Sequence, residues 1–184
     1  MTAMATRAEE APRELWVFGY GSLMWRPGFV YAERQKALLR GWRRRLCVYS
    51  HVYRGTADRP GLVLGLDRGG ACHGVAFRVE AGLREATLRY LRERELVTAV
   101  YLERMVPVTL ADGRRVAALA YVADRAHGQY AGAVPRDRLA EVVRQGVGWS
   151  GDNAEYVLAT RDHLRELGIR DRELEWLAAQ LRAA

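Results

Sequence analysis

Apolar residues fall in short runs along the first part of the chain and recur at three- and four-residue intervals along the last part. The first run, Leu15-Trp16-Val17-Phe18, predicts a buried strand that breaks abruptly at Gly19-Tyr20-Gly21-Ser22-Leu23-Met24-Trp25. Ala37 to Tyr49 mixes apolar and basic residues in partial alternation, as a strand with one wet face does. A polar loop follows from Ser50 to Gly61, carrying Arg54-Gly55-Thr56. Leu62 to Leu66 and Ala71 to Val79 predict a hairpin that turns at Asp67-Arg68-Gly69-Gly70, with Gly74 marking a bulge or a close backbone approach. Val97 to Leu110 and Arg115 to Ala123 predict a second strand pair around Asp112-Gly113, and Pro107 points to an edge or a bulge. Gly128-Gln129-Tyr130-Ala131-Gly132 is a glycine-flanked loop presenting Tyr130, a residue that in such loops is commonly a packing lid.

Helical periodicity takes over in two places. Leu83 to about Leu96 is rich in Leu, Arg and Glu, with Glu85, Arg89 and Glu93 spaced by four on the wet face. Leu88, Leu91 and Glu95 share the opposite face, so its apolar stripe ends in a carboxylate. Burial beside leucines and a place in the last helical turn both disfavour the ionised form, as a general acid/base requires. Periodicity alone favours the plainer account, an acid paired with Arg92, Arg94 or a distant arginine. Further on, Pro135 opens a helix running to about Gly146, Asp152 with Glu155 caps the next, and Gly168 ends it. A last helix from near Asp171 buries Leu174, Leu177 and Leu181. The helices form a coat around a β core, and no repeat or linker divides the chain. Residues 15–184 are expected as one domain, preceded by a flexible tail over 1–14 that lacks the apolar core of a signal peptide.

With 184 residues, 49% of them hydrophobic, the chain can build a sizeable core. Its net charge of +7 is spread as arginine, with Lys36 the single lysine. The densest cluster, Arg40 to Arg45, fits a solvated strand end or a phosphate patch equally well. The clustered stripe of a nucleic-acid binder is missing, so no nucleic-acid partner is expected. Cys47 and Cys72 lack metal or disulfide spacing and suit a reducing cytoplasm as core thiols. His51, His73, His127 and His163 are scattered, so no metal site is expected, and no apolar run approaches bilayer length.

The chemistry centres on the glycine loop. Gly19 and Gly21 remove the Cβ atoms that would hold a ligand away and permit a turn pointing successive N–H groups into one concavity. A dinucleotide fingerprint would need a third glycine and an immediate helix, which Pro27-Gly28 interrupts. A nucleophile elbow would need its serine between the glycines, whereas Ser22 follows both and is a hydrogen-bond donor instead. A glycine pair alone fits a tight turn between core strands better than a ligand site, so a second feature must decide.

Glu95 supplies it. Phe18-Gly19-Tyr20-Gly21-Ser22-Leu23 followed by Tyr90-Leu91-x-x-Arg94-Glu95 resembles the ChaC-type γ-glutamylcyclotransferases. The likeness extends from Trp16 onward through Arg45, Ser50, Arg54-Gly55, Pro60-Gly61, Gly74-Val75-Ala76, Arg78, Tyr130, Ser150-Gly151, Asn153, Glu155 and Tyr156. The resemblance implies an α+β fold, a small closed mixed β-barrel surrounded by helices. It implies that Gly19, Tyr20, Gly21, Ser22 and Leu23 bind the γ-glutamyl group, with Arg54, Tyr101 and Tyr130 as further substrate contacts and Glu95 as the acid/base. It also implies an enzyme with no metal or organic cofactor and a small-molecule substrate, glutathione, cleaved to 5-oxoproline and cysteinylglycine, which agrees with the cytoplasmic location that the cysteines suggest. Two departures stand out. Leu96-Val97-Thr98-Ala99-Val100 precedes Tyr101 where many relatives have two glycines, and Ala131-Gly132 replaces a leucine-glycine. The alternatives are a cyclotransferase for other γ-glutamyl amides or amines, and a non-catalytic module that binds γ-glutamyl metabolites.

Overall fold

In the computed structural model, which describes residues 14–183, the opening apolar run forms β1 (Leu15–Gly19), buried at every position. Both faces are buried because β1 lies between two apolar layers. Leu15 and Val17 join a cluster with Leu88, Leu91, Leu119 and Tyr121, while Trp16 and Phe18 join the larger core containing Leu139, Val143, Leu164 and Leu177. β2 (Glu33–Ser50), β3 (Gly61–Val79), β4 (Tyr101–Leu110) and β5 (Arg115–Ala123) complete a closed barrel in the order β1-β3-β2-β4-β5. Its neighbours are antiparallel except β1 and β5, whose parallel pairing sets Trp16 opposite Ala118 and closes the ring. This is the mixed barrel surrounded by helices that the resemblance implied. Of the expected tail, residues 1–13 lie outside the described residues, and the Glu14 carboxylate sits 2.6 Å from Arg78 Nη1.

Asp67-Arg68-Gly69-Gly70 does not reverse the chain. β3 runs straight through it, antiparallel to β2 along nearly its whole length. Gly69 and Gly70 take φ of +97° and +70° opposite a single left-handed Gly41 at +83°, and the register shifts there. Glycines able to make a hairpin instead make a bulge, which coils two long strands tightly enough to close a small barrel. Gly74 is the close approach it suggested: a Cβ there would stand 2.3 Å from the Gly19 carbonyl oxygen. Pro107 lies in β4 just beyond the Val108–Leu110 segment that pairs with β2, where no donor is needed on that side.

The helices are α1 (Arg84–Glu95), α2 (Arg136–Gln145), α3 (Asn153–Glu166) and α4 (Arg172–Arg182), with a short hairpin, β6 (Val147–Gly148) and β7 (Gly151–Asp152), before α3. Asp171 caps α4 by accepting from the amides of Glu173 and Leu174. Asp152 occupies the N-cap position of α3 without a side-chain capping bond, so the expected capping box is not formed. β4 begins at Tyr101 rather than Val97, because residues 96–100 form the turn that stops α1. Within that turn Ala99 adopts φ +54°, a left-handed conformation disfavoured by its Cβ. Ala99→Gly is therefore expected to stabilise the fold by up to about 1 kcal/mol. Thermal unfolding should show this as a rise in Tm of roughly 2–4 °C.

Candidate active site

After Gly19 the chain leaves the barrel, turns through Tyr20-Gly21 and winds one 3₁₀ turn over Ser22–Met24. Two arginines hold this loop from opposite sides. Arg44, buried in β2, donates from Nε to the Tyr20 carbonyl at 2.6 Å and from Nη2 to the His73 carbonyl at 2.6 Å. Its Nη1 meets Asp171 at 3.2 Å. Neither reading of the Arg40–Arg45 cluster survives at its centre, since the Arg44 guanidinium is an internal brace in mid-strand. Arg94, in the last turn of α1, donates to Ser22 Oγ (2.9 Å), to the Arg26 carbonyl (2.6 Å) and to the Tyr90 hydroxyl (3.1 Å). Its Nε lies 3.0 Å from Glu95 Oε1, so one side chain ties the glycine loop to the helix acid.

Leu88 and Leu91 seat α1 against the barrel, and Glu95 follows one turn later on the same side with 20% of its side chain exposed. Burial raises its pKa above the ordinary carboxylate value, opposed by Arg94. Glu95 is thus paired with Arg94 and still pushed upward.

The floor of the site is an unpaired stretch of strand. β1 covers β3 from Val75 to Val79, leaving the outward backbone groups near Leu62 and Leu64 without a strand neighbour. Side chains take that place. Asn153 exchanges two hydrogen bonds with Leu62 at 2.7 and 2.8 Å. At Leu64 the Tyr101 hydroxyl donates to the carbonyl at 2.7 Å, and the Tyr156 oxygen accepts from the amide at 3.2 Å. A barrel edge closed by side chains rather than by a strand leaves room for a hollow.

That hollow has a volume of ≈ 90 Å³ and is lined by Tyr20, Gly21, Ser22, Leu23, Leu64, Glu95, Tyr101, Tyr121 and Tyr156. A Cβ on Gly21 would meet nothing nearer than Leu64 Cδ1, at 3.8 Å, so it would project into this space. Ser22, Glu95 and Tyr101 also line an adjoining cleft of ≈ 330 Å³. Burial raises the pKa of all four tyrosines, with the Glu95 charge adding to the rise, so each keeps its proton. The Tyr121 hydroxyl is buried and has no hydrogen-bond partner among the described residues.

Of the residues picked out in the sequence, Tyr20, Gly21, Ser22, Leu23, Glu95 and Tyr101 therefore meet around one hollow. Gly19 stands just behind it as the last residue of β1, paired with Val75. Arg54 lies outside both cavities. It donates to the Ser150 carbonyl at 2.6 Å, and its guanidinium lies 5.2 Å from the Tyr156 ring centre. Tyr130 is also absent from both linings, its hydroxyl donating to Asp67 at 3.0 Å. Asp67 is buried, which works against its ionisation, yet Arg125, Tyr130 and the Arg68 amide outweigh that and hold its pKa below the ordinary value. Sequence reasoning missed Tyr121, Leu64 and the bracing by Arg44. A tyrosine within the aliphatic run Ala117-Ala118-Leu119-Ala120-Tyr121-Val122 was the available signal, since a buried hydroxyl needs a partner. Among the described residues no group of His, Cys, Asp and Glu converges as metal ligands would, and no helix is long and apolar enough to cross a membrane.

A barrel with a glycine loop and a half-buried carboxylate around one small hollow defines the class: the chain belongs to the ChaC-like protein family, whose model matches residues 15–184. It is 36% identical over 168 residues to the glutathione-specific γ-glutamylcyclotransferase of Escherichia coli (strain K12), covering 91% of this chain and 72% of that one. It is 35% identical over 182 residues to glutathione-specific γ-glutamylcyclotransferase 1 of Homo sapiens, covering 97% and 82%. The crystal structure of a yeast γ-glutamyl cyclotransferase specific to glutathione superposes with a TM-score of 0.82 at 22% identity, covering 92% of this chain and 96% of that one, and shares its fold.

Proposed function

We propose that the protein is a γ-glutamylcyclotransferase that cleaves glutathione to 5-oxoproline and cysteinylglycine. The observation that carries this reading is the meeting of Glu95 with Gly21, Ser22 and Leu23 around one hollow of ≈ 90 Å³. The substrate's own α-amine attacks its γ-carbonyl, so the protein must supply a folded-back geometry and proton transfer. Orientation of that kind can recover part of the roughly 7–11 kcal/mol open to intramolecular reactions.

Glu95, as carboxylate, takes a proton from the attacking nitrogen and then, as acid, gives one to the departing amide nitrogen. A new C–N bond closes the five-membered ring as the old one breaks. The bare backbone at Gly21 lets the γ-glutamyl group approach the loop, whose amides face the substrate's negative oxygens. The Tyr121 hydroxyl, buried without a hydrogen-bond partner among the described residues, donates to the same group. Tyr101 and Tyr156, already committed to Leu64, shape the walls. Arg54 and Tyr130 act at a distance by fixing Tyr156 and the Asp67 cluster.

The direct test incubates the protein with glutathione. Equimolar 5-oxoproline and cysteinylglycine support the reading, whereas free glutamate would mark an ordinary amidase and no product a binding module. N-acetylated glutathione should give no turnover, because its blocked nitrogen cannot close the ring. Release of N-acetylglutamate from that analogue, followed by chromatography, would contradict the self-attack.

A further inference from the structure

Past Glu95 the cleft of ≈ 330 Å³ continues between the end of β2, through His51 and Val52, and the turn after α1, at Val97 and Thr98. We infer that this cleft holds the departing half of the substrate and that His51 reads its terminal carboxylate; the inference rests on the cyclotransferase reading above. Ser22, Glu95 and Tyr101 line both spaces. A substrate with its γ-carbonyl at Glu95 and its γ-glutamyl end in the small hollow therefore has everything beyond the scissile bond in the larger one.

The walls of that larger space set what fits. Val52 and Val97 give it apolar sides suited to a thiol-bearing or aliphatic residue, while a dipeptide's end carries a charge that needs a donor. Arg94 is committed: its nitrogens go to Glu95, Ser22, Tyr90 and the carbonyls of Arg26 and Pro27. Gln129 is committed through its amide nitrogen, which donates to the Tyr49 carbonyl at 2.9 Å. His51 is the other basic side chain on the lining, and its Nδ1 has no hydrogen-bond partner among the described residues. Apart from the Tyr49 ring, whose centre lies 6.2 Å away, the imidazole has no partner among the described residues, so it is open to a carboxylate in a way that the braced Arg94 is not.

The experiment compares glutathione with its glycine monoethyl ester, which keeps the scissile bond and lacks the terminal charge. In the wild-type protein kcat/KM for glutathione should exceed that for the ester by roughly 10-fold, the scale of one hydrogen bond to a charged group. In His51→Ala that ratio should fall to about one, through a higher KM for glutathione, and His51→Gln, which keeps a donor, should retain part of it. Circular dichroism of both variants checks that the fold is kept. A wild-type ratio near one, or an unchanged ratio in His51→Ala, overturns the role of His51. No 5-oxoproline from either substrate with the wild-type protein would instead overturn the cyclotransferase reading, and this inference with it.

Discussion

Glu95→Gln should fold as the wild-type protein does and release 5-oxoproline about 10²–10⁴-fold more slowly, the usual worth of one positioned proton-transfer group. Glutamine keeps the shape of the side chain that follows Leu88 and Leu91 in α1, so the loss should fall on kcat with KM for glutathione nearly unchanged. Stability gives an independent sign. Burial raises the pKa of Glu95 in the folded protein, so the folded state holds that proton more tightly than the unfolded chain. The wild-type protein therefore loses stability as pH rises from the unfolded carboxylate value through the raised folded one. Glutamine has no such loss, so above that window the variant should melt no lower than the parent. Turnover within a few-fold of wild type would refute the proton transfer; a Tm lower by many degrees would refute the electrostatic account.

Arg44→Ala should be the most destabilising single change at the site, costing about 3 kcal/mol or more in urea unfolding. Truncation leaves the carbonyls of Tyr20 and His73 without their 2.6 Å donors and removes the partner of Asp171, which also caps α4. Because one of those carbonyls belongs to the glycine loop, KM for glutathione should rise in parallel. Lysine should rescue little, since one ammonium cannot reach three divergent acceptors as a guanidinium fork does. A cost below about 1 kcal/mol would show that the loop holds its shape without this brace.

What the sequence makes legible here are the features that repeat or punctuate. The stripe Leu88, Leu91, Glu95 puts the acid on the buried side of α1 because helical spacing is local, and the glycine loop is marked by its own composition. The failures share one cause, long-range pairing. Gly69-Gly70 carries the local chemistry of a hairpin turn, and only the continuous pairing of β2 with β3 makes it a bulge. Arg44 looks like any arginine in a basic cluster until the Tyr20 and His73 carbonyls arrive from distant segments. Asp152 has the spacing of a capping box, yet neighbouring Asn153 is drawn instead to the open edge at Leu62, a demand set by the barrel. Tyr130 shows the converse: family likeness marks it for the substrate, while its hydroxyl is spent on Asp67.

In the proposed reaction the ionisation of Glu95, raised by burial, switches on the chemistry. Carbon-13 NMR of glutamate carboxyls across pH, with Glu95→Gln identifying the resonance, reads that ionisation directly. The expected midpoint lies above those of the exposed glutamates and matches the pH at which kcat for glutathione begins to rise. A midpoint in the ordinary carboxylate range, or one unrelated to the kinetic limb, would overturn that role.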